Sequence, residues 1–197
     1  MIRAALRRVR GESGYTLVEM LTVMVIMGVV LGGLTTVFVS ASKSENDMSR
    51  RFQAQLSARM GLDKLRREAR CATDVTSATP ASTSAYTVTL SLPSYCKTGT
   101  GSVTWCTRSI ATNRYGLYRA AGTSCTGGVL WADYLVPTTT APTCGTPTAL
   151  CVFVYTAGSA TSLAKLHVDL PVNLQPSNAV DLYELADDVV LRNSSRS

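Results

Sequence analysis

Methionine is missing after Met60, proline is missing from residues 1–79, and no charged residue occurs in residues 20–42. Each gap excludes something. Without proline, nothing in the first 79 residues forces a break, since proline both removes a backbone N–H and clashes with the preceding turn. Without charge over 23 positions, residues 20–42 do not read as a solvated surface helix. As a helix they would extend about 34 Å at roughly 1.5 Å per residue, enough to cross a hydrocarbon core of about 30 Å. Histidine occurs once, at His167, and the six cysteines contain no C-x-x-C pair. That removes the usual spacings of a zinc site or a redox dithiol, so no metal and no cofactor is expected.

Charge is present but unevenly placed. Arg3, Arg7, Arg8 and Arg10 face only Glu12 in residues 1–14, and residues 43–70 hold eight Lys/Arg against four Asp/Glu. Residues 71–197 hold seven of each. A nucleic-acid-binding domain concentrates positive charge on a folded face; here the folded part is neutral, and its charge does not support a nucleic-acid partner. Arginines before the apolar span, against Lys43 offset by Glu45 and Asp47 after it, predict a single pass with the N-terminus in the cytoplasm.

Four sections follow: a basic leader over 1–14, an apolar helix over 15–39, an amphipathic continuation over 40–72, and a head over 73–197. In the continuation, Met48, Phe52, Leu56 and Met60 recur every four residues, then Leu62, Leu65 and Ala69 take over a shifted face. Gly61 is expected to bend the helix, at about 1 kcal/mol relative to alanine. Residues 73–162 contain 21 threonines, which favour strands. Strands are predicted over 85–92, 102–110, 114–120, 129–136, 150–156, 163–172 and 187–193, with "PTTTAPTCGTPT" as a surface loop. Cys71, Cys96, Cys106, Cys125, Cys144 and Cys151 are even in number and lie beyond a membrane segment, which suits disulfides made outside the cytoplasm; the pairing stays open. The fold class is α+β: a long N-terminal helix whose apolar half is an anchor, packed on an antiparallel, disulfide-braced sheet.

Glu19 is the anomaly. It sits at the start of the apolar run, with no other charge until Lys43. A secretion signal cut after Ala41, or a plain anchor, leaves this carboxylate without a use. If the chain is cut between Gly14 and Tyr15, the new α-amino group lies one helical turn away, and the helix dipole favours the acid. Leaving either charge of such a pair single is strongly unfavourable, so the pair would set axial register between subunits.

The residues "G-YTLVEML" behind a basic leader resemble the processing site of type IV prepilins and pseudopilins. Tyr15 stands where phenylalanine is more usual. The resemblance implies cleavage between Gly14 and Tyr15 by a prepilin peptidase, N-methylation of Tyr15, and assembly with other pilin subunits on an inner-membrane platform. Lipid would hold residues 15–39 before assembly. "VTWCTRS", "RYGLYR", "CVFVYT" and "VVLRN" resemble blocks of minor pilins and J-type pseudopilins, which implies a minor subunit of a pilus, competence pilus or type II secretion pseudopilus.

Elsewhere the chemistry is sparse. Asp181, Glu184, Asp187 and Asp188 in "DLYELADD" form a calcium candidate, set against a solvated acidic turn. His167 reads as a surface or satisfied histidine, Trp105 and Trp131 as core residues, and Gly28, Gly32 and Gly33 as sites of close helix approach or loosening. No catalytic constellation emerges. The competing reading is an anchored or secreted binding module, an adhesin or DNA-capture domain outside any filament.

Overall fold

The computed structural model describes residues 14–77, 84–144, 149–175 and 181–193. Among the described residues there are one helix, α1 (Leu17–Cys71), and nine strands: β1 (Asp74–Ser77), β2 (Ser84–Ala85), β3 (Thr87–Leu92), β4 (Gly101–Ala111), β5 (Arg114–Ala121), β6 (Val129–Leu135), β7 (Phe153–Thr156), β8 (Lys165–Val172) and β9 (Tyr183–Val190). The chain divides into two compact units, residues 1–47 and 48–197.

The first unit contributes the apolar part of α1. Its large side chains from Leu17 to Val39 are exposed, and by length and composition this stretch is able to cross a membrane. The expected basic leader, residues 1–14, lies outside the described residues apart from Gly14.

The second unit is a nine-stranded sheet with the remainder of α1 on one face. All pairings are antiparallel; the order is β1-β3-β4-β5-β6-β8-β7-β2, and β9 pairs with β8. Alternation sets the faces. In β3, Val88, Leu90 and Leu92 point inward while Thr87, Thr89 and Ser91 point outward. The register places Val88 beside Trp105 and Leu90 beside Val103, so the apolar rows join. Ala54, Ala58, Gly61, Leu62, Leu65, Glu68 and Ala69 form the buried stripe of the helix.

This stripe corrects the reading of the amphipathic segment. Met48, Phe52, Leu56 and Met60 are exposed, and the small residues between them face the sheet. Small side chains let the helix backbone approach a sheet that carries bulky ones. α1 continues through Gly61. A Cβ there would stand 3.4 Å from Trp131 Cβ and 3.5 Å from Leu117 Cδ2, so the glycine serves close approach.

The expected strands appear with shifted ends. The 85–92 segment divides at Tyr86, 150–156 forms strand only from Phe153, and 163–172 only from Lys165. The last strand is Tyr183–Val190 rather than 187–193, so "YELADD" is extended and not a turn. It pairs along its whole length with β8, from Tyr183 opposite Val172 to Val190 opposite Lys165. Its alternation, with Leu185 packed on the core and Glu184 and Asp188 outward, gives the acids a use as a charged edge. Strand β1 was not foreseen; its four residues pair with β3.

Three disulfides close the head: Cys71–Cys96, Cys106–Cys125 and Cys144–Cys151. The first ties the last residue of α1 to the segment between β3 and β4. The second fixes the loop after β5 to β4, and the third closes a seven-residue span.

Candidate functional site

The residues of the expected processing motif lie at the start of the helix. Gly14, Tyr15 and Thr16 are non-helical and α1 begins at Leu17. Thr16 caps the helix: its Oγ1 accepts from Glu19 N–H at 3.3 Å and its carbonyl accepts from Glu19 and Met20 N–H at 3.0 and 3.2 Å. Thr16-Leu-Val-Glu19 thus has the Thr-x-x-Glu spacing of a capping box. That spacing was legible in the sequence and went unread. Gly14 has open space around its Cα, with nothing within 4 Å of a Cβ built there. Tyr15 and Glu19 are exposed, and among the described residues no ion pair involves Glu19. The carboxylate sits in the first turn, where the dipole stabilises it. The arrangement presents an accessible Gly14–Tyr15 peptide bond immediately before a capped helix, with one acid a turn beyond it.

In the head, the most constrained charged group is Glu68. It is 0% exposed. Trp105 Nε1–H donates to Oε2 at 2.8 Å, Arg119 Nε–H donates to Oε1 at 2.9 Å, and Arg119 Nη2 lies 2.8 Å from Oε1. Lys64 Nζ stands 3.3 Å away. One carboxylate therefore joins helix, β4 and β5 with its lone pairs occupied, which is how a buried charge is tolerated. Glu68 was missed in the sequence, although an acid three residues after Leu65 lies in phase with the Leu62–Leu65–Ala69 stripe.

The four acids of the calcium candidate are not brought together. Asp181 pairs with Arg51, and Asp187 accepts from Arg66 Nε at 2.7 Å. Asp188 accepts from Lys165 Nζ at 3.0 Å and meets His167 Nδ1 at 2.8 Å. Glu184 lies opposite Pro171. Among the described residues no group of three or more His, Cys, Asp and Glu is placed to hold a metal. The hydrogen bond to His167, then that to Lys165, lowers the Asp188 pKa below the ordinary carboxylate value. Arg114 is raised, chiefly by its hydrogen bond to Asp133.

Residues 9–35 match the family model described as the prokaryotic N-terminal methylation motif. The matched stretch contains Gly14, Tyr15 and Glu19 and supports a type IV pilin-like reading of the N-terminus. No curated protein and no solved structure matches the chain.

Proposed function

We propose, taking the N-terminal methylation motif as premise, that this protein is a minor structural subunit of a type IV pilus or type II secretion pseudopilus. A peptidase cuts between Gly14 and Tyr15 at the cytoplasmic face of the membrane. The Tyr15 amine is then methylated, and residues 15–39 pass from lipid into the core of a helical filament. The disulfide-braced head stays outside the cytoplasm. The role is structural rather than catalytic.

The observation that carries the reading is the exposed Glu19 in the first turn of α1, at the head of a stretch with no other charge until Lys43. In lipid an acid alone is costly, by roughly 2.5–3.5 kcal/mol at mid-membrane on insertion scales. The amine made by cleavage, on the same or the next subunit, answers that charge. Capping by Thr16 supports the same geometry, because it fixes where the helix begins relative to the cut.

The test is the mass of the mature N-terminus together with Glu19→Ala. The expected mature chain starts at N-methylated Tyr15. The variant is expected to be cut normally and to enter filaments at a level reduced at least tenfold. Mature protein that begins at Met1 or Ser42 would count for an anchored or secreted binding module. Normal filament incorporation of Glu19→Ala would defeat the charge-pair account.

A further inference from the structure

The head is neutral in sum, but its charges are sorted by place. No Asp or Glu occurs in residues 75–132, which hold Lys97, Arg108, Arg114 and Arg119. Of the seven acids in residues 71–197, six lie at Asp133 or beyond. The fold then gathers cations around the last turn of α1. The Cys71–Cys96 disulfide bonds that turn to the loop between β3 and β4, with Cα atoms 6.0 Å apart. Arg70 and Lys97 stand next in chain to the two cysteines, and Arg67 lies one turn before Cys71. Asn193 Nδ2 donates to the Cys71 carbonyl at 3.0 Å, which brings Arg192 to the same end. That bond also covers a helix-terminal carbonyl that would otherwise repel an anion. All four cations are exposed. None has a carboxylate in ion-pair range among the described residues.

The acids at this end are nearly all engaged. Glu68 is buried with Arg119 and Lys64. Asp63 and Asp187 share Arg66, at 3.3 and 2.7 Å, and Asp188 lies between Lys165 and His167. Asp74, exposed at the start of β1, is the acid here without an ion pair among the described residues. Four open cations therefore stand against one open acid. The loop adds an aromatic ring. Tyr95 is 64% exposed, in a turn closed by Cys96 N–H to the Pro93 carbonyl at 3.0 Å and locked by the disulfide at the next residue. Lys64 Nζ holds the same loop through the Thr98 carbonyl at 3.2 Å. A ring fixed in this way loses little freedom on binding. Carboxylates of an acidic peptide would answer the cations and leave the ring without a use. A lipid surface would meet a loop, "PSYCKTGT", that carries no aliphatic side chain beyond its proline. A duplex keeps its base faces stacked inside. A single strand uses both features, phosphates on the cations and a base on the ring. We infer that this end of the head binds single-stranded nucleic acid through Arg67, Arg70, Lys97, Arg192 and Tyr95. The zero net charge of the head concealed this end, because the sum does not record where the charges lie.

The test uses the full-length protein in nanodiscs of zwitterionic lipid. The probe is a fluorescent single-stranded oligothymidylate of about twelve nucleotides, within the range of one single-strand site, and the readout is anisotropy. Neutralising about three phosphates, the surplus of open cations over the open acid, predicts an affinity loss of about 20-fold between roughly 50 and 200 mM salt. Arg70→Gln combined with Lys97→Gln should weaken binding and reduce that loss to about threefold. Tyr95→Ala should weaken binding about tenfold and leave the salt dependence unchanged. Arg192→Gln, outside both the helix and the disulfide loop, repeats the salt test without touching either. Absence of binding overturns the inference, as does a salt dependence that none of the cation variants alters. Equal binding by Tyr95→Ala, or equal affinity for polyglutamate, for a duplex of the same length or for anionic vesicles, also overturns it. Filament incorporation and the mass of the N-terminus do not enter this readout, so its outcome is separate from the proposed processing and assembly.

Discussion

Replacing Glu68 by alanine should destabilise the head by about 3–4 kcal/mol. The carboxylate has no exposed surface and receives Trp105 Nε1–H and the Arg119 guanidinium, with Lys64 beside it. Breaking a buried ion pair by removing one partner costs roughly 3–5 kcal/mol, part of which is the orphaned donor, itself worth about 1–3 kcal/mol. The Arg119 and Lys64 side chains are 22% and 21% exposed, so water recovers some of their solvation and the lower end of the range applies. A domain of ordinary stability, about 5–15 kcal/mol, would lose a large fraction of it. The assay is urea unfolding of the full chain in detergent, followed by tryptophan fluorescence, which reports Trp105 and Trp131. Glu68→Gln should fall between wild type and alanine, because it keeps an acceptor for Trp105 and loses the charge. Glu68→Leu combined with Arg119→Leu should recover most of the loss, since both charges leave together. A cost below about 1 kcal/mol for Glu68→Ala, or a double variant as weak as the sum of the singles, would refute the reasoning.

Removing the bridge at the end of the helix, by Cys71→Ser with Cys96→Ser, releases a 25-residue span. Chain entropy sets the loss near 3.5 kcal/mol, and an unchanged urea midpoint would contradict it. Gly61→Ala should be neutral or mildly stabilising: helix propensity gains about 1 kcal/mol, and the new methyl meets Trp131 Cβ at 3.4 Å. Gly61→Leu has no such room and should lower the melting temperature sharply; equal behaviour of the two variants would mean that the helix and sheet are not in close contact. Asp188 supplies a pH prediction. Its folded pKa is depressed by His167 and Lys165, so its contribution is present above the ordinary carboxylate pKa and disappears as pH falls through the lower folded value. The group is half-exposed, so the effect is small. Asp188→Asn should flatten the acid limb of a stability–pH curve below pH 3.8, and an identical limb in both proteins would remove the pair from consideration.

The motif was legible because it is contiguous. Gly14, Tyr15 and Glu19 need only their spacing along the chain, and the uncharged stretch that follows declares its own length. The strands were legible in position but not at their ends. Alternation within 87–92 is carried by the chain itself, whereas the start of β9 depends on its eight partners in β8. "YELADD" carries too many acids to look extended, and its neighbours on β8 and the helix are distant in sequence. The Thr16 cap could have been found from Thr-x-x-Glu alone.

Sequence by itself determined the helix and its uncharged span, the candidate processing site, the even cysteine count and the β-rich head. These depend on composition and short-range periodicity, which the chain carries wherever it folds. Tertiary structure decided which of two apolar stripes faces the sheet, which cysteines meet, and why Glu68 is tolerated inside. Periodicity announces that a helix has an apolar face, but shape decides which face is buried. Alanine and glycine at 54, 58 and 61 allow close approach to the sheet, so the larger methionine and phenylalanine ridge is left outside.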